Sequence, residues 1–135
     1  MSAKVLSARV LIDTHVLTWA ADDVRRLSPK SRAVLESLRN EVLVSAVSIF
    51  EITTKFRLGK LPAAEKLALD PVAVTSRLGF VSLPITLDHA RRAGLLPGIH
   101  RDPFDRILIA QAQAEGIPLI SNETLFDHYG VMRIW

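Results

Sequence analysis

Five carboxylates stand where a strand ends or a helix begins. Asp13 closes the apolar run Val10-Leu11-Ile12, and Glu51 lies within an apolar helical pattern after a second short strand. Asp102 and Asp105 open the stretch Asp-Pro-Phe-Asp, and Glu123 follows Pro118-Leu119-Ile120. Hard divalent cations take oxygen ligands, and Mg2+ is commonly held by a few carboxylates together with substrate phosphates. Acids from four separated segments that met on one such ion would suit hydrolysis of a phosphodiester by a metal-activated water.

Each acid also has a plainer explanation. Asp13 could cap the helix beginning at Thr14. Glu51 could pair with Lys55 four residues on, an arrangement worth about 0.2–0.5 kcal/mol. Yet Glu51 sits between Phe50 and Ile52, where a carboxylate is costly to bury unless paired or metal-bound. Asp102-Pro103 with Asp105 is a good helix start in its own right. Taken alone, capping explains Asp102 and leaves both readings open for Asp105. Glu123 in a first helical turn is favoured by the helix dipole without any further role, and Asp127 reads as a solvated or pairing residue.

Among the basic residues, Lys55, Arg57, Lys60, Arg101 and Arg106 could grip a phosphate backbone. Arg101 and Arg106 flank the acids and are the two expected to touch substrate, with Thr14 beside Asp13. Thr14 and His15 could also hold the Asp13 carboxylate from outside the ligand set. The chain has no Gly-x-Gly-x-x-Gly, phosphate-binding P-loop, His-Glu-x-x-His or Gly-x-Ser-x-Gly, so it lacks the nucleotide-binding, metallopeptidase and serine-hydrolase signatures that these patterns carry.

The elements that must position these residues follow from periodicity and punctuation. Short unbroken apolar runs at Arg9 to Asp13, Val42 to Val44, Phe80 to Leu83, Pro118 to Ile120 and Val131 to Trp135 read as buried strands. Helices are expected from Thr14 to Ala21, from Ser28-Pro29 to about Leu38, from Ser45 to Leu58 with Gly59 as terminator, and from Pro71 to Leu78 before Gly79. Further helices run from a Thr86 cap over Leu87 to about Leu95, from Asp102 to Gly116, and briefly from Glu123 to His128. Leu61 to Asp70 has no clear pattern, and Pro97 to Arg101 reads as a loop. The alternation predicts an α/β fold, a three-layer sandwich around a mainly parallel sheet of four to five strands. Ligands of open parallel sheets bind beyond the carboxyl ends of the strands, the rim on which the acids fall.

Length bounds the rest: 135 residues suit one domain, and a hydrophobic fraction of 49% is that of a packed globule. Neither a membrane-spanning run nor a signal peptide is visible, so a cytoplasmic protein is expected. Without cysteine there are no disulfides or thiolate metal sites. Seventeen basic against fourteen acidic residues give +3, and acids neutralised at a metal would leave a more basic surface suited to a polyanion. Aromatics make up only 6%, which offers little for a base-stacking platform.

The motifs in order resemble a known family. Leu11-Ile12-Asp13-Thr14-His15-Val16-Leu17, Ser45 to Ile52, and His100 to Ala112 are similar to those of PIN-domain nucleases of the VapC toxin type. Leu119-Ile120-Ser121-Asn122-Glu123 and the Tyr129 to Trp135 ending fit the same family, as does Arg57-Leu58-Gly59-Lys60-Leu61. The resemblance implies a PIN-like sandwich and an Mg2+- or Mn2+-dependent endoribonuclease acting as the toxin of a type II toxin–antitoxin pair. It further implies a homodimer and a cognate antitoxin protein, for which a groove between the Ser28–Leu38 and Ser45–Leu58 helices is the expected dock. Metal-binding acids would fall on Asp13, Glu51 and Asp105, with Asp102 close by; Glu123 stands where the family normally has aspartate. A non-catalytic module of the same fold, binding antitoxin or RNA, remains open as an alternative, whereas a phosphohydrolase with Asp13 as nucleophile is disfavoured. The latter type carries a second aspartate two residues on, where this chain has His15.

Overall fold

The β-branched and leucine run Val10-Leu11-Ile12 forms β1 (Arg9–Ile12), and its neighbours are built the same way: β2 (Glu41–Ser45), β3 (Val81–Leu83), β4 (Leu119–Ile120) and β5 (Arg133–Ile134). In the computed structural model, which describes residues 8–98 and 102–135, all four pairings are parallel and the order is β3-β2-β1-β4-β5. The register sets Leu11 against Leu43 on one side and Leu119 on the other.

Successive residues of a strand face opposite sides, and both sides are apolar, as a covered parallel sheet requires. Val10, Ile12, Val42, Val44 and Ile120 pack with Val16 and Leu17 of α1 (Thr14–Asp22), Ile52 of α3 (Ala46–Arg57), Leu67 of α4 (Glu65–Leu69) and Val74 of α5 (Pro71–Arg77). Leu11, Leu43 and Leu119 face the other way, onto Leu108, Ile109 and Ala112 of α7 (Pro103–Glu115) and onto Phe126. Val47 of α3 joins this second cluster, so α3 is wedged between the two cores. The expected α/β sandwich with its parallel sheet is what the chain forms.

Helix starts follow their caps. Asp13, Ser28, Ser45, Asp70, Thr86 and Asp102 each accept a hydrogen bond from a backbone N–H of the first turn, satisfying groups the helix leaves open. Gly116 closes α7 in the left-handed region at φ 66°, where a Cβ would be strained. At the start of α6 (Leu87–Leu95), His89 Nδ1 accepts the Thr86 N–H, so Nε2 carries the ring hydrogen and donates to Glu115 of α7 across 3.1 Å.

Several boundaries differ from expectation. α2 spans Pro29–Glu36 and stops short of Leu38, which is fully exposed; the Asn40 side chain takes the Val34 carbonyl instead of a further helical turn. Leu61 to Asp70 resolves into a 3-10 turn over Pro62–Ala64 followed by α4, and the segment after Glu123 is 3-10, Thr124–Tyr129, with Glu123 just ahead of it. The final strand is only Arg133–Ile134. Among the described residues no helix is long and apolar enough to cross a membrane. The start of the chain through Ser7 and the end of the Pro97 to Arg101 loop lie outside the described residues.

Candidate active site

From central β1 the chain builds β2 and β3 to one side and later returns to add β4 and β5 on the other. Between β1 and β4 the winding reverses, and the crevice beyond their carboxyl ends is where such sheets bind ligands. Asp13 follows β1 directly and is only 3% exposed. One carboxylate oxygen accepts the Val16 N–H at 2.8 Å, and the Ser121 side chain, from the residue after β4, hydrogen-bonds to the same carboxylate. Burial pushes the Asp13 carboxyl up to about 6, helped by the charge of Glu123 and opposed by Ser121, Val16 and His15. No lysine or arginine among the described residues forms an ion pair with it.

The other acids come to the same rim. Thr14, next to Asp13, donates to Ser48 of α3 at 3.0 Å in a buried contact. Glu51 lies one turn beyond Ser48, is 6% exposed, and accepts from Lys55 Nζ. Phe50 and Phe104 meet edge to face with centroids 5.6 Å apart, which lays the first turn of α7, carrying Asp105, against the middle of α3, carrying Glu51. Asp102 caps α7 through the N–H groups of Phe104 and Asp105. Glu123 donates its backbone N–H to Ser121 Oγ, and its carboxylate is 3.8 Å from His15 Nε2.

Proximity stops short of a closed ligand set: among the described residues no group of three or more acids and histidines is arranged to hold a metal ion. The reasons are local. Glu51 is turned to Lys55, Asp102 is engaged in capping, and unneutralised carboxylates repel one another.

Two expected substrate contacts have other tasks. The Arg106 guanidinium donates to the Ala93 and Leu96 carbonyls at 3.0 and 2.7 Å, anchoring α7 to the end of α6. The Thr14 hydroxyl is spent on Ser48 and is buried. Arg101 lies outside the described residues. Ser121 and Ser48 were missed by sequence reasoning. Ser121 carried a signal, since it follows β4 as Asp13 follows β1; Ser48 carried none, because its role depends on a helix contact.

The donor chemistry fits a hard divalent cation. Every candidate ligand is a carboxylate oxygen, and Asp13 is a carboxylate whose proton affinity is raised by burial, a group that a cation would stabilise. The carboxylates of Asp13, Glu51, Asp105, Asp102 and Glu123 have the donor type such an ion takes, on neighbouring elements rather than in a closed set.

Beside this rim, a cleft of about 630 Å³ opens between α1 and the Pro62–Leu69 segment, lined by His15, Trp19, Arg26, Leu61, Leu67 and Arg77 among others. Its lining residues come from neither α2 nor α3. His15 and Trp19 stack within it, and Arg26 lies 5.0 Å from the Trp19 ring.

Comparison with known proteins agrees with the fold. Ribonuclease VapC16 of Mycobacterium tuberculosis is 39% identical over 74 residues, 55% of this chain and 48% of that protein, so the chain spans about half the length of this curated relative. Two solved structures share the fold. VapBC2 of Rickettsia felis, bound to a DNA fragment from its promoter, has a TM-score of 0.71 at 17% identity, covering 93% of this chain and 97% of that one. VapC20 of Mycobacterium tuberculosis, described as a Sarcin-Ricin loop cleaving toxin, has a TM-score of 0.61 at 18% identity, covering 93% and 98%. The PIN domain model matches residues 10–132, nearly the whole sequence and every strand from Val10 to β4; this chain belongs to the PIN-domain family.

Proposed function

We propose that the chain is a single-domain, Mg2+- or Mn2+-dependent endoribonuclease, the toxin of a toxin–antitoxin pair, working as a homodimer in the cytoplasm and held inactive by a cognate antitoxin. The observation that carries this reading is Asp13: a buried carboxylate, without a lysine or arginine partner among the described residues, at the point where the sheet reverses its winding. The ribonuclease and toxin names of the relatives support it, and the structural neighbours that are toxin–antitoxin complexes support a protein inhibitor. The cleft walled by α1 is the proposed antitoxin dock, since an occupant there would reach the acids past His15.

In this mechanism Asp13, Glu51 and Asp105 would hold the cation, with Asp102 and Glu123 adding to the acidic rim. The bound ion would supply a water activated for attack and neutralise charge building on the phosphate. Ser121 and the Val16 N–H fix the Asp13 carboxylate, and the Thr14–Ser48 bond fixes the distance between α1 and α3. Arg101 remains the proposed phosphate contact. Asp13→Asn and Asp105→Asn should each abolish cleavage of a mixed RNA pool while leaving the circular-dichroism spectrum intact. Retained cleavage in both ends the assignment.

The open arrangement of the acids favours a second reading, a non-catalytic module binding antitoxin or RNA. Intact RNA after incubation with protein demonstrably loaded with Mn2+ would select it.

A further inference from the structure

Glu51 is a rim acid that already holds a cation. Its side chain is 8% exposed and accepts from Lys55 Nζ one turn further along α3, while the Lys55 side chain is 37% exposed. Ser48, Glu51 and Lys55 fall on one stripe of the helix. The Ser48 end of that stripe is tied to Thr14, next to Asp13, and the Lys55 end opens to solvent. The stripe thus runs from the buried side of the rim to its mouth. A buried carboxylate needs a cation or a full set of donors, and Lys55 is the partner the structure gives Glu51.

We infer that Lys55 is a displaceable place-holder for the metal and, once displaced, a contact for the RNA phosphate; this rests on the metal-dependent ribonuclease reading above. In the metal-free protein the ammonium neutralises Glu51 and keeps it ordered. When Glu51 turns to a divalent ion, the same carboxylate no longer needs the ammonium, and two cations on one acid repel. The Lys55 side chain is long, flexible and more than one-third exposed, so its charge can swing to the mouth, where the polyanion arrives. Lysine suits this exchange because its ammonium is a compact charge on a flexible stem, with no fixed fork to hold it in place.

Two measurements on the full chain test the inference. Mn2+ titration followed by the electron-paramagnetic-resonance signal of free Mn2+ should show Lys55→Met binding several-fold more tightly than wild type. Equal or weaker binding overturns the place-holder role. Anisotropy of a labelled 2′-O-methyl RNA, which resists cleavage, should then be followed against KCl. Loss of one phosphate contact lowers the salt slope by about 0.7 on a single strand, and Lys55→Met should show that loss with Mn2+ present and none without it. A loss that is the same with and without Mn2+, or no loss at all, overturns the handover. Lys55→Arg should retain the wild-type slope and keeps the test usable if the methionine variant folds poorly. Glu51→Gln separates the two ideas: wild-type Mn2+ affinity in that variant sinks the ligand assignment itself, whatever Lys55 does.

Discussion

Asp13 answers two demands that pull against each other. As the cap of α1 it needs only an acceptor oxygen for the Val16 N–H, which asparagine supplies equally well. As a buried carboxylate with a pKa of about 6 it costs the fold stability whenever it is ionised without a cation. The folded state holds the proton more tightly than the unfolded chain, so stability is greatest below pH 4 with respect to this group. It then falls as pH rises from about 4 through 6, by about 3 kcal/mol in total. Asp13→Asn should therefore stabilise the metal-free protein at pH 7.5 by up to about 3 kcal/mol and flatten this part of the pH profile. Urea unfolding in EDTA at pH 4.5 and 7.5 measures both, and a variant no more stable than wild type at the higher pH would contradict the burial argument. The family resemblance implies an aspartate where Glu123 stands. The longer side chain reaches to within 3.8 Å of His15, an interaction the sequence did not suggest.

At the level of elements, α6 and α7 are held by polar contacts as well as by packing. Arg106 serves two carbonyls at the end of α6, and buried His89 reaches Glu115. Arg106→Met, which keeps the aliphatic stem, should cost about 1–3 kcal/mol through the unsatisfied carbonyls. The accompanying rise in amide exchange should fall on the last turn of α6; uniform exchange across the molecule would refute an anchoring role. These contacts also mark what was legible in advance. Caps and terminators work locally, so Ser28-Pro29, Thr86, Asp102-Pro103, Gly59 and Gly116 placed their helices correctly. The strands were legible because each is a short apolar run. The end of α2, the occupation of Arg106 and the Thr14–Ser48 link depend on contacts beyond the local pattern, and no short motif encodes them. The Glu51–Lys55 pair was legible from its spacing, but its burial was not.

For the molecule as a whole, the site is a meeting of segments that the sheet brings to one edge, and its charge makes it a linkage point. A cation bound only by the folded state adds RT ln(1 + [L]/Kd), about 2.7 kcal/mol at a hundredfold excess over Kd. Millimolar Mn2+ should therefore raise the Tm by several degrees in wild type and leave Asp13→Asn nearly unmoved. Scanning calorimetry with and without EDTA checks this, and a wild-type Tm indifferent to both Mg2+ and Mn2+ would count against the metal site. Protons compete for the same carboxylates, so the shift should shrink as pH falls below about 6, where Asp13 becomes protonated.

The pairing of Leu11 with Leu119 has a bearing on biosynthesis. One flank of β1 stays open after it leaves the ribosome until β4 follows more than a hundred residues later. Ser121 and Glu123 arrive later still. A growing polypeptide therefore carries Asp13 through that interval without the Ser121 hydroxyl that orients it, and the rim cannot assemble before β4 has been made.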